Sequence, residues 1–123
     1  MHQRGEECRD ERGTWDFGGG QLEMFLSLEE NVLKELKEEY GCKGEIQEQL
    51  PAHPNFRIIN GIKTHWLVIP FFVKVDLKKV KIQEPGKMAK IDFFTLDNLP
   101  RPLHSGVKKT MKLYAPYFEK YRR

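Results

Sequence analysis

The chain has 123 residues, 39% of them hydrophobic and 11% aromatic, with 21 basic and 18 acidic side chains and a net charge of +3. This content supports one packed domain over residues 1–123 and excludes a wholly disordered chain. The longest apolar run, Trp66 to Val73, is far short of the ~20 residues of a membrane helix, so no membrane partner is expected.

Charge is unevenly placed. Residues 1–62 hold 13 acidic and 7 basic side chains, whereas residues 63–123 hold 5 acidic and 14 basic ones. A solvated surface accounts for such runs, and so does a division between a cation-gathering and an anion-gathering half. Two cysteines, Cys8 and Cys42, make no disulfide framework. Met1 is followed by charged, polar residues and not by an apolar leader. A reducing, cytoplasmic setting is therefore expected.

In chain order, residues 1–14 are polar and without apolar period. Trp15-Asp16-Phe17 alternates as a short strand and stops at Gly18-Gly19-Gly20. Ser27 with Glu30 forms a capping box, and Leu28, Val32, Leu36 and Tyr40 repeat on one helical face up to Gly41. Phe56 to Ile59 and Thr64 to Val75 flank Asn60-Gly61, a hairpin signal, with Pro70 marking an edge or bulge. Val80 to Ile82 is a weaker strand candidate, Gln83 to Lys90 a loop, and Ile91 to Thr95 a further strand. Ser105 is placed to cap a last helix that Pro116 breaks near Ala115. Strand, helix, several strands and helix point to an α+β architecture or an α/β/α sandwich.

The chemistry is concentrated in residues 34–41. With Glu35 set at zero on a helical wheel, Glu38 falls at about 300° and Glu39 at about 40°, so the carboxylates share one arc. Glu39 lies inside the apolar stripe, where an unpaired carboxylate is costly and like charges repel. A divalent cation with oxygen ligands would resolve both costs. A Glu/Lys-rich surface helix balanced by Lys34 and Lys37 is the other arrangement the pattern allows.

Here the sequence resembles the Nudix hydrolases, whose box is written G-x5-E-x7-R-E-U-x-E-E-x-G-U, with U aliphatic. Gly20 opens the box over residues 20–42, Glu35-Leu36 and Glu38-Glu39 fill its acidic positions, and Gly41 closes it. Gly13 to Phe17 resembles the family's lead-in. Glu84-Pro85 with Lys87, Phe93-Phe94 and Leu96 to Pro100 resemble the tail of small members that act on nucleoside triphosphates.

The resemblance implies a Nudix-like α/β/α sandwich with a mixed sheet. It implies Mg²⁺-dependent hydrolysis of a pyrophosphate bond in a nucleoside triphosphate or a nucleoside diphosphate derivative, with Mn²⁺ as an alternative ion. Glu35, Glu38 and Glu39 with the carbonyl of Gly20 would hold metal, and Glu35 and Glu38 would be catalytic. Trp15 and Glu84 would meet the nucleotide, with Phe71 or Phe72 as further stacking candidates, each of which also suits a core.

The chain departs from the pattern at several places. Leu26 and Lys34 stand where the box has a supporting Glu–Arg pair, so that support is expected to be weakened. Gly18 replaces a proline and Phe25 a glycine, and Met24-Phe25-Leu26 is expected to pack. Only about a dozen polar residues precede Trp15, with His2 to Arg4 as the end of a second strand, so the first strands are expected to be missing. The exposed sheet edge this leaves suits a homodimer. These departures also suit a catalytically impaired nucleotide-binding or interaction module on the same fold. His53, His65 and His104 match no metal spacing. The basic residues Lys108, Lys109, Lys112, Lys120, Arg122 and Arg123 read as a solvated face, so a nucleic-acid partner is not expected.

Overall fold

The computed structural model describes residues 1–122; Arg123 of the expected basic tail lies outside them. Strand β1 (His2–Arg4) is followed by β2 (Trp15–Asp16) and by the helix α1 (Leu28–Tyr40). The strands β3 (Gly44–Gln49), β4 (His53–Ile59), β5 (Ile62–Val68), β6 (Phe71–Val75) and β7 (Met88–Ile91) come next. Two helices, α2 (Ser105–Leu113) and α3 (Ala115–Glu119), end the fold.

Helix α1 forms as the sequence dictates. The Ser27 hydroxyl accepts from the Glu30 amide, the Glu30 carboxylate accepts from the Ser27 amide, and Gly41 closes the helix at φ 64°. The hairpin β4–β5 turns on Asn60 and Gly61, both at positive φ (51° and 79°), as a two-residue turn of this hand requires. The long apolar run after it divides at Pro70 into β5 and β6, and the freed Pro70 carbonyl accepts from the Leu50 amide.

Three antiparallel ladders result: β2-β1-β7, β3-β6 and β4-β5. An isolated parallel bridge joins Trp15 to Leu103, so the pairing is mixed. Strand β1 is the middle strand of its sheet, with His2 opposite both Asp16 and Ile91. Alternation along β6 sends successive side chains to opposite faces. Phe72 meets Phe118 and Tyr121 beyond α2 at centroid distances of 5.0 and 4.8 Å. A side chain on Gly44 would strike Leu36 of α1 and Val73 at 2.5 and 2.6 Å. Helices thus lie on both faces of β3–β6, and the α+β class is the observed one.

Several local expectations are corrected. Strand β3 was not foreseen, Val80 to Ile82 is not a strand, and a 3-10 turn at Leu77–Lys79 precedes it. The strand expected at Ile91 to Thr95 lies three residues earlier, because β1 pairs with Met88, Lys90 and Ile91. His104, not Ser105, caps α2, its Nδ1 accepting from the Gly106 amide. Met24 and Phe25 do not pack; they are 83% and 97% exposed, and Phe25 sits at φ 66°.

Candidate functional site

The carboxylates on α1 point in two directions. Oxygens of Glu35 and Glu38 come within 4.8 Å of one another and of an oxygen of Glu23, which lies in the loop before the helix. Glu39 turns instead to the glycine segment, where its Oε1 accepts from the Gly19 amide at 3.1 Å.

Glu23 reaches this place because Asn31 holds its loop. Asn31 is 7% exposed; its Oδ1 accepts from the Glu23 amide at 2.9 Å and its Nδ2 donates to the Gln21 carbonyl at 3.1 Å. Neither Glu23 nor Asn31 was singled out from sequence. The support expected to be weakened at positions 26 and 34 is formed by a different pair. Lys34 Nζ bonds to the Glu23 carboxylate and stands 3.6 Å from Glu38 Oε1. The acid lost at position 26 is thus supplied three residues earlier.

The glycines are required by what faces them. A Cβ on Gly20 would run into the Glu35 carboxylate, so a bare backbone is needed for that contact. A Cβ on Gly18 would meet the Tyr40 ring at 2.5 Å. Tyr40 accordingly explains the missing proline at 18: its ring fills the space, and its hydroxyl bonds to His2 Nδ1 at 2.6 Å.

Electrostatics follow from this crowding. Burial, then the charges of Glu38 and Glu23, raise the Glu35 carboxyl above its usual range against the opposing pull of Lys34. Glu39 is pushed up to about 7, chiefly by burial. The Gly19 amide opposes that shift, while Glu35, Glu84 and Asp16 add to it. The converging oxygens of Glu23, Glu35 and Glu38 form a set of hard donors with an excess of negative charge. That set fits a divalent cation of the Mg²⁺ or Mn²⁺ type.

Beside Glu39 opens a cleft of about 290 Å³ whose walls include Glu39, Glu84, Arg9 and Lys87. Glu84 lines this cleft together with Glu39. Trp15 is not on the cleft wall. It is 9% exposed, packs edge-on against Phe94 at 5.2 Å, and is fixed through its backbone to Pro102 and His104. Phe72 is likewise engaged with the C-terminal helix.

A second grouping, Asp10, Glu11 and His104, also brings its ligand atoms within 4.8 Å. Its groups already satisfy one another. Arg57 bonds to Asp10 and Glu11 at 2.8 and 3.0 Å, and Ser105 donates twice to Glu11. His104 Nε2 bonds to Glu11 while its Nδ1 accepts from Gly106. This network ties the N-terminal loop, the β4–β5 hairpin and the start of α2 together.

A family model described as the NUDIX domain matches residues 1–114. Among solved structures, the fold is similar to that of a MutT NUDIX hydrolase from Burkholderia pseudomallei, with a TM-score of 0.77 and 24% identity. That match covers 90% of this chain and 83% of the other. No curated protein matches the chain.

Proposed function

The chain belongs to the Nudix family, and from that premise we propose that it hydrolyses a pyrophosphate bond in a nucleoside triphosphate or a nucleoside diphosphate derivative, with Mg²⁺ or Mn²⁺. The observation that carries this reading is the convergence of Glu23, Glu35 and Glu38 oxygens within 4.8 Å beside a glycine that admits no side chain.

In this reading Glu35, Glu38 and Glu23 would hold the ion, with Glu39 and the Gly20 carbonyl as further ligands. A bound divalent ion supplies phosphate charge neutralisation and acidification of water. Glu35 accepts the proton of the attacking water, a task suited to a carboxyl raised above its usual range. Lys34 fixes the directions of Glu23 and Glu38. Glu84 and Glu39 form the adjoining wall of the cleft.

The test is a nucleotide panel incubated with the purified protein in Mg²⁺ and in Mn²⁺. Product release that stops with a chelator and in Glu35→Gln supports the reading; no product from any nucleotide overturns it. One observation favours a binding module without turnover: the Lys34 ammonium engages two of the three converging carboxylates, an internal cation where the metal would sit. That module would bind nucleotide with no product formed.

Among the described residues no helix is long and apolar enough to cross a membrane. Two free, buried cysteines suit the proposed cytoplasmic setting. A homodimer, in this reading, would form along an exposed sheet edge other than those of β1, both of which are paired.

A further inference from the structure

The cleft beside Glu39 is built by two loops locked edge to edge. The Gly5 amide donates to the Lys87 carbonyl at 2.8 Å, the Glu7 amide to the Gly86 carbonyl at 3.0 Å, and Cys8 Sγ to the Lys87 carbonyl at 3.2 Å. A Cβ on Gly5 would strike the Gly86 carbonyl, so the two loops meet backbone to backbone. Their side chains bring Arg9 and Lys87 to the same cleft as Glu39 and Glu84. Both cations are exposed, and neither forms an ion pair among the described residues. Arg4, on the same wall, is engaged with Asp10 and Asp16.

At about 290 Å³ the cleft is at the lower end of small-molecule sites, which run from about 300 to 1,000 Å³. A base-reading pocket offers a ring to stack on and edge-directed hydrogen bonds. Two of the rings that sequence alone offered for stacking are engaged elsewhere, Trp15 on Phe94 and Phe72 on Phe118, and Phe71 does not line the cleft. His2, which does line the cleft, is 6% exposed and bonded to Tyr40, leaving little ring surface. Phe25, exposed two residues from Glu23, offers a face on which every base stacks alike. The walls therefore offer charged groups, Glu7 among them, and in His2 their only ring.

We propose that this site selects its ligand by the phosphate chain and not by the base, with Arg9 and Lys87 holding phosphates beyond the bond aligned with the α1 carboxylates. The ligand class is a polyphosphorylated nucleotide of any base. This inference rests on the pyrophosphohydrolase reading for the position of the scissile bond.

The test is titration calorimetry in Mg²⁺ with α,β-methylene analogues of ATP, GTP, CTP and UTP, with inorganic tripolyphosphate, and with adenosine. The four analogues are expected to bind within about threefold of one another, because stacking alone tolerates any base. Tripolyphosphate competes with them, and adenosine gives no heat. The double variant Arg9→Gln/Lys87→Gln weakens all four by about tenfold or more, since each loses a charge-assisted bond. Arg9→Lys/Lys87→Arg retains affinity, which separates loss of charge from loss of fold. One base preferred by more than about thirtyfold, which requires directed hydrogen bonds, overturns the proposal. So does an unaltered double variant, or absence of triphosphate binding. Hydrolysis of the natural nucleotides is followed in parallel. Base-blind binding without product removes the proposed activity and leaves this inference standing, whereas turnover with strong base selectivity does the reverse.

Discussion

The Lys34 ammonium closes onto the carboxylate of Glu23, 11 residues upstream, and from there reaches Glu38 one turn along its own helix. One cation thereby sets the directions of two of the three acids that converge beside Gly20. Both partners are substantially exposed, at 44% and 42% of their side chains, so their contribution is to orientation more than to stability. Glu23→Gln should leave the melting temperature nearly unchanged. It should also raise the Mg²⁺ concentration for half-maximal turnover by about tenfold, as losses around a metal site do. A metal titration of nucleotide hydrolysis, beside a thermal melt, measures both.

Asn31 is the residue on which that geometry depends from below. It holds Gln21 and Glu23 through both ends of its amide and is 7% exposed. Asn31→Ala leaves a backbone amide and a carbonyl without their partners, a cost of about 2 kcal/mol. Urea denaturation should show that loss. Turnover should fall further than in Glu23→Gln, because the whole loop is released.

Phe25 holds a left-handed conformation, φ 66°, while its ring is 97% exposed. No packing is lost when the ring is removed, and glycine adopts this φ freely. Phe25→Gly should therefore stabilise the protein by about 0.5–1 kcal/mol, the relief of left-handed strain less the added freedom of the unfolded chain. Chemical denaturation reads the sign; a destabilised variant would show that the ring is covered in solution.

Glu39→Gln keeps an oxygen to accept from the Gly19 amide and removes a carboxyl that burial pushes up to about 7. The fold should be retained, with a melting temperature that holds or rises. Turnover should fall by about tenfold or more, as for the loss of a carboxylate beside a bound ion. Retained activity would remove Glu39 from the site.

Glu11 gives the fold a pH dependence of definite sign. Burial acts to raise its carboxyl. The Ser105 amide and hydroxyl, His104 and Arg57 together outweigh burial and hold it below its ordinary value of 4.5. A depressed carboxyl stabilises the fold above its unfolded value and loses that contribution as pH falls through the lower folded one. Acid should weaken the wild type below about pH 4.5, and Glu11→Gln should flatten that part of the profile while weakening the fold at neutral pH. Thermal melts from pH 3 to pH 7 test this.

What could be seen in the sequence was what short range decides. The capping box and Gly41 bound α1, and Asn60-Gly61 marked the β4–β5 turn. Strand β3 alternates without a strong apolar side, and it is a strand because β6 pairs with it. Strand β7 is displaced from its apolar run because β1, far away in the chain, sets the register. The site divides in the same way. Glu35, Glu38 and Glu39 carry helical spacing and were legible, whereas Glu23 and Asn31 enter through a loop whose path no periodicity encodes. Trp15 offered a ring for a base or, more readily, for the core, and tertiary packing against Phe94 engages it.

The central claim is that acids gathered around α1 bind a divalent ion that acts on a pyrophosphate. Electron paramagnetic resonance of Mn²⁺, titrated in the presence of α,β-methylene ATP, tests it most directly. The account predicts a bound ion in the wild type and at least about tenfold weaker binding in both Glu35→Gln and Glu38→Gln. Equal Mn²⁺ binding by the wild type and both variants, or no binding by any of them, would contradict it.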